Sequence, residues 1–406
     1  MKFRNYLYIT SILFILINPA FPGTGKIPVT TKSETALQNF LKGRELADKL
    51  RNQEAITYLE AAVEEDPEFA LAHMNLALVQ PSAKGFFESL AQAEKTAPQV
   101  SEGEQLWIKG LAAGVNGFPQ EQLDFYQQLV ELYPADERAF NLLGNFYFGQ
   151  QEYELAIAQY ETAVALAPEY SQPYNQLGYA SRFLGDYSAA EAAFEKYMIL
   201  IPDDPNPLDS YAELLMKMGK FEESIDYYKK ALKLNADFIN SHMGIAANYN
   251  YLGEYKKARK QLDKYMDMAH NDGERRTVYF CKSVSFVDEG KYEEAVKELG
   301  KSYKLAEKIK DSASMAADQM TIGNINLERG FPDEAMKNFS LAKGVMDQSN
   351  LAKEIKDNNR INYLFNAIQV VLANGKTKLA KQQAYVYLQQ VQTLNNPLQT
   401  KQAHEL

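Results

Sequence analysis

Between residues 103 and 272 one pattern of small, bulky and helix-breaking positions returns every 34 residues. With units beginning at 103, 137, 171, 205 and 239, the eighth position reads Gly110, Gly144, Gly178, Ala212 and Ala246. The twentieth reads Gln122, Ala156, Ala190, Ser224 and Ala258, and the twenty-fourth Tyr126, Tyr160, Phe194, Tyr228 and Leu262. This arrangement predicts two helices per unit, with small residues letting them approach and the bulky residue packing as a knob on the adjacent helix. The fifteenth position supplies Gly117, Gly185, Gly219 and Gly253, and glycine accepts the left-handed conformation that ends a helix. The thirty-second supplies Pro134, Pro168 and Pro202, then Ala236 and His270. Proline there stops the second helix. Each unit buries its apolar face only on its neighbours, so such a chain builds a solenoid rather than separate compact domains.

These residues resemble the tetratricopeptide repeat family. Phe140, Leu143, Gly144, Tyr147, Ala156, Tyr160, Ala163 and Pro168 follow its consensus, as do Tyr174, Leu177, Gly178, Ala190, Phe194 and Pro202 one unit later. The pattern reaches back to a unit at 36, with Gly43, Ala55, Ala62 and Pro67, while 70–102 is a shortened copy. Downstream, Gly253, Gly290, Gly330 and Gly375 are 37, 40 and 45 apart, each followed by a matching alanine: Ala258, Ala295, Ala335 and Ala380. That lengthening predicts longer helices, with the second helix running on through Lys301–Lys310. The expected fold is all-α, a right-handed α-solenoid superhelix of about ten tetratricopeptide-type hairpins. Irregular repeats occupy 36–102, five regular ones 103–272, longer-helix ones 273–390 and a tail 391–406.

Ahead of the repeats, Lys2 and Arg4 precede an apolar run from Tyr6 to Ile17, followed by Asn18-Pro19-Ala20. A basic start, a short apolar core and a small residue make the pattern of a signal peptide. Residues 1–25 are expected to be one, or an uncleaved anchor in the inner membrane, and 26–35 a flexible lead-in. The expected location is therefore the periplasm or outside the cell.

Acidic residues number 53 against 43 basic ones, a net charge of −10. That balance argues against nucleic acid as a partner, because neutralising phosphates requires a basic face. The one cysteine, Cys281, excludes an internal disulfide. It sits among Val278, Tyr279 and Phe280, as a buried small residue would. Asn374-Gly375-Lys376-Thr377 ends like a phosphate-binding loop, but Val370 stands where the earlier glycine is required, so it reads as a helix-to-helix turn. Asp203-Asp204-Pro205-Asn206-Pro207 reads as a tight turn between repeats. Four scattered histidines lack metal-ligand spacing. No catalytic residue, metal or cofactor is expected, and the chain is read as a non-enzyme.

In stacked hairpins the first helices line the concave side. Positions 2, 5, 9 and 12 share one stripe of such a helix. They give Arg138, Asn141 and Asn145, then Gln172, Asn175, Tyr179 and Arg182, then Asp209 and Glu213. The family resemblance implies that another protein or an extended peptide lies in this groove. Amide side chains can both donate to and accept from such a backbone. Members that clamp acidic C-termini use lysine and arginine here, and lysine is missing from these positions. The expected role is a scaffold or adaptor of the cell envelope; the alternative is a chaperone-like assembly factor for envelope or secreted proteins.

Overall fold

A computed structural model describes residues 25–393 and 397–405, and within them 21 α-helices and no strand. Twenty helices pair in sequence order into ten hairpins. They are α1–α2 (Glu34–Asp48, Asn52–Glu65), α3–α4 (Ala70–Val79, Ala83–Thr96), α5–α6 (Glu102–Val115, Pro119–Leu132) and α7–α8 (Glu137–Gly149, Tyr153–Leu166). Next come α9–α10 (Gln172–Phe183, Tyr187–Leu200), α11–α12 (Pro205–Lys217, Phe221–Leu234) and α13–α14 (Ile239–Tyr251, Tyr255–Met266). The last three are α15–α16 (Asp272–Asp288, Tyr292–Lys308), α17–α18 (Ser312–Glu328, Pro332–Asp347) and α19–α20 (Lys353–Ala373, Thr377–Thr393). A final helix, α21 (Pro397–Glu405), packs on α20. The architecture is an all-α solenoid. Residues 1–24, which include almost all of the expected signal peptide, lie outside the described residues.

The small and bulky positions interlock as their spacing predicts. A Cβ added to Gly110 would come within 2.2 Å of the Tyr126 ring, one on Gly144 within 2.5 Å of Tyr160, and one on Gly178 within 2.5 Å of Phe194. Ring and missing side chain claim the same space, which sets the approach of the two helices. Gly323 and Phe339 repeat the arrangement in α17–α18 at 2.4 Å. In α11–α12 the small partner moves to the following hairpin, where Gly244 of α13 receives the Tyr228 ring. There the twentieth-position Ser224 ties the hairpin by donating its hydroxyl to the Ala212 carbonyl at 2.7 Å.

Glycines end the first helices with φ between +72° and +82° at Gly117, Gly185, Gly219, Gly253, Gly290, Gly330 and Gly375. The unit beginning at 137 lacks a glycine there, and Gln151 takes the same left-handed conformation at φ +63°. The turn is thus imposed by the packing of the hairpin. Likewise α12 ends at Leu234 in the register of its neighbours although Ala236 replaces proline. The tight turn expected over Asp203–Pro207 is shorter than that span. Asp204 caps α11 by accepting the Asn206 N–H at 3.0 Å, and Pro205 and Pro207 already lie in its first turn. Proline's fixed φ suits that position, where its missing N–H goes unneeded.

Two segments differ from their sequence reading. Residues 26–33, expected to be a flexible lead-in, form a non-helical strap held by side chains far along the chain. Ile27 is 2% exposed, its N–H donates to Asp136 Oδ2 at 2.6 Å, and the Thr30 N–H and hydroxyl donate to Glu104 at 2.7 and 2.6 Å. Beyond 391, where a tail was expected, α20 finishes and α21 buries Ala403 against its neighbour.

Candidate functional site

The stripe of first-helix residues expected to face a ligand lies on α7, α9 and α11. At its start, Asp136 caps α7 and accepts the Arg138 backbone N–H at 2.8 Å, Nε at 2.9 Å and Nη2 at 2.5 Å. Burial alone would raise the Asp136 carboxyl. The bonds from Arg138 and from the Ile27 N–H outweigh it and hold the group below the usual carboxylate range. Arg138 Nη2 also donates to the Ile27 carbonyl at 2.7 Å. Arg138 therefore anchors the strap.

Asn141 and Gln172 belong to a chain of amides and hydroxyls that ends on α1. Asn141 is buried, and its Nδ2 has long contacts of 3.4 Å to the Tyr170 hydroxyl and 3.5 Å to Gln172 Oε1. The Tyr170 hydroxyl donates to Gln172 Oε1 at 2.8 Å, and Gln172 Nε2 donates to Asp48 Oδ1 at 2.7 Å. Burial pushes the Asp48 carboxyl up to about 6, with the Arg44 charge and the Gln172 bond opposing. Further along, Asn271, the cap of α15, donates to Gln53 Oε1 at 3.2 Å. A Cβ on Gly273 would strike the Pro81 carbonyl at 2.0 Å. The strap and the first two hairpins thus run along the N-terminal ends of α7, α9 and α15, and cover one edge of the stripe.

Between α9 and α11 the polar groups satisfy one another. The Tyr179 hydroxyl contacts Glu213 Oε2 at 3.0 Å and Ser210 Oγ at 3.3 Å. Arg182 Nη1 donates to Glu213 Oε1 at 2.5 Å, and its guanidinium lies 4.5 Å from the centre of the Phe183 ring. Its charge is neutralised in place, with 8% of the side chain exposed. Asp209 is buried against α13, where Ser241 Oγ donates to its Oδ1 at 2.6 Å. Burial, with Glu213 nearby, pushes its carboxyl up to about 7 against that bond.

Three of the nine residues keep capacity for a ligand. Asn145 is exposed; its Oδ1 accepts the Tyr160 hydroxyl at 2.9 Å, leaving its amide N–H groups without a bond. Asn141 Oδ1 and Asn175 Oδ1 are both buried without a partner. The structure therefore splits the predicted stripe. Arg138 and Gln172 hold the chain's own N-terminal part, Tyr179, Arg182, Asp209 and Glu213 join successive repeats, and Asn145, Asn175 and the Asn141 oxygen remain available. Periodicity could not separate these groups, because all nine occupy equivalent positions. Among the described residues no cluster of His, Cys, Asp and Glu could hold a metal ion. Burial pushes the Cys281 thiol up to about 11, away from the reactive thiolate.

Residues 205–238 match a tetratricopeptide repeat family model, and residues 40–84, 109–171 and 141–205 match a second model of the same description. These segments are tetratricopeptide repeats. Among solved structures the chain is similar to a tetratricopeptide repeat protein of Parabacteroides merdae, 16% identical over 67% of this chain and 94% of that one, with a TM-score of 0.42. Yeast Tom70 is 16% identical over 80% of this chain and 68% of its own, at 0.46. A thermophilic tetratricopeptide repeat protein of Thermus thermophilus is 18% identical over 42% of this chain and 92% of its own, at 0.37. No curated protein matches the chain. No described helix is long and apolar enough to cross a membrane.

Proposed function

We propose that this repeat protein is a non-enzymatic adaptor that holds an extended segment of another protein against α7 and α9. The observation that carries this reading is the unused amide capacity at Asn141, Asn145 and Asn175, on a stripe whose remaining polar groups are bonded. A buried oxygen left without a donor costs about 1–3 kcal/mol, and a partner's backbone N–H arriving at Asn175 would recover that. The repeats suit the role, since a stack of hairpins offers a long continuous surface. The adaptor would work in the cell envelope or outside the cell, as the basic and then apolar start of the chain suggests.

Replacing Asn145 and Asn175 together by alanine should weaken a partner captured from the exported fraction by about tenfold or more in calorimetric titration, a loss of about 1.4 kcal/mol. The melting temperature should barely change. Unchanged affinity would overturn the assignment. A chaperone-like assembly factor would instead bind many unfolded chains weakly and equally. N-terminal sequencing of the mature protein tests export, and an intact Met1 in a soluble cytoplasmic fraction refutes it.

A further inference from the structure

Charge is divided unevenly along the chain. From Asn358 to His404 there is no Asp or Glu, although the chain holds 53 of them in 406 residues. That stretch carries Arg360, Lys376, Lys378, Lys381 and Lys401. Arg360 is bound to Asp347 and Asp357. The four lysines are exposed and make no ion pair among the described residues. The carboxylate that reaches this hairpin is Asp333, which accepts from Asn374 in the α19–α20 turn at 3.5 Å. Apolar side chains accompany the lysines: Leu379, Tyr385 and Val386 are 43%, 60% and 52% exposed. Lys378 and Tyr385 are seven residues apart, as are Leu379 and Val386, so the charged and apolar groups share the open side of α20. Beside them runs a groove of about 340 Å³, lined by Leu372, Lys381, Ala384, Leu388 and Ala403. It stays open because α21 lays nine residues against the seventeen of α20.

The opposite imbalance occurs between residues 110 and 181, which hold nine carboxylates and one base, Arg138. Asp136 is bound to Arg138 and Glu137 to Lys26. The other seven are exposed and make no ion pair among the described residues. Glu121, Asp124 and Glu131 lie on α6, and Glu154 and Glu161 on α8, the second helices of adjacent hairpins. Leu155 and Leu166 of α8 are exposed beside them. Within one copy the two faces stay unpaired, although Asn358 of α19 lies against Gly117 in the α5–α6 turn.

We propose that copies of this chain associate head to tail, the lysines of α20 and α21 in one copy docking on the carboxylates of α6 and α8 in the next. Tyr385 and Val386 of one copy then meet Leu155 and Leu166 of the other. Both surfaces lack a counterpart inside a copy and find it on a second one. At a net charge of −10, whole copies repel. The attraction therefore comes from patches closer than a Debye length, about 10 Å at 0.1 M salt. Because the two patches differ, each docked copy keeps one of each free, and the contact generates a ring or an open filament. The docking uses second helices, whereas Asn145 and Asn175 lie on first helices. It goes beyond the adaptor reading and stands without it.

Sedimentation velocity of the full chain tests this. The mass should grow between about 1 and about 100 μM protein at about 100 mM NaCl, and return to that of a single chain at about 500 mM, where surface charges are screened. The charge reversals K378E/K381E and E154K/E161K should each weaken self-association by about tenfold or more, with unchanged circular dichroism. Mixing the two variants should restore association, because the mixture again contains a parental basic face and a parental acidic face. Should a reversal fail to fold, K378Q/K381Q and E154Q/E161Q serve the same mixing test. A parent that stays a single chain at the highest concentration overturns the proposal. So does association that survives either pair of substitutions, or a mixture that stays dissociated. Phosphatidylglycerol vesicles that bind a single-chain parent and lose K378E/K381E would overturn it too, and would assign the lysines to an anionic membrane.

Discussion

Gln172, the first residue of α9, donates its side-chain amide to Asp48 at the end of α1, 2.7 Å away in space and 124 residues away in sequence. The bond joins the first hairpin to the fifth. It makes the edge of the solenoid a closed seam, continued by Arg138 on Ile27 and by Asn271 on Gln53.

Cutting that bond should loosen the seam locally. In D48A the amide of Gln172 loses its acceptor at a half-buried position, a loss of about 1–3 kcal/mol. Hydrogen exchange should speed up across Glu34–Asp48 and leave α13 unaffected, since repeat arrays open unit by unit. Unchanged exchange in α1 would show that other contacts hold the hairpin.

Stability should fall as pH rises through weak acidity. The Asp48 carboxyl is raised from its ordinary 3.8 to about 6 and Asp209 to about 7, burial being the leading cause in both. Between about pH 4 and pH 7 the folded chain therefore binds more protons than the unfolded chain, and the slope of stability with pH is negative. Above about pH 7 these two groups add no further slope. D209N should flatten the curve and raise stability at pH 8 by on the order of 2–4 kcal/mol, the equivalent of the shift, while Ser241 can still donate to the amide oxygen. A thermal midpoint that rises steadily from pH 5 to pH 7 in the parent would contradict this.

Filling the hairpin crossing should open it. Even a Cβ at Gly178 would sit 2.5 Å from the Phe194 ring, which is fully buried. G178L therefore displaces the ring that spaces α9 from α10, at a cost of about 1–3 kcal/mol or more. Circular dichroism and limited proteolysis should place new cleavage in 171–202, with distant repeats protected. G178L melting like the parent would refute the interlocking.

One turn can be improved. Gln151 is held at φ +63° where equivalent turns use glycine, and a side chain in that region costs about 1–2 kcal/mol. Q151G should raise the melting temperature, less the extra freedom that glycine gains when unfolded. A lower melting temperature would mean that the Gln151 side chain contributes more than its strain removes.

The 34-residue period determined by itself that the repeats are helical hairpins, where most of them turn and which of their positions are small and which bulky, and its stretching after Gly253 that the helices lengthen. Those features depend on contacts within one unit or between adjacent units, so each leaves a mark repeated along the sequence. The period also placed nine residues on one stripe. Only the tertiary structure decided that Arg138 and Gln172 serve the chain's own N-terminal strap and hairpin, that Arg182 is neutralised by Glu213, and that Asn145 and Asn175 stay available. A polar residue reads the same in sequence whether it meets water or a group more than a hundred positions away, because a contact made once has no period.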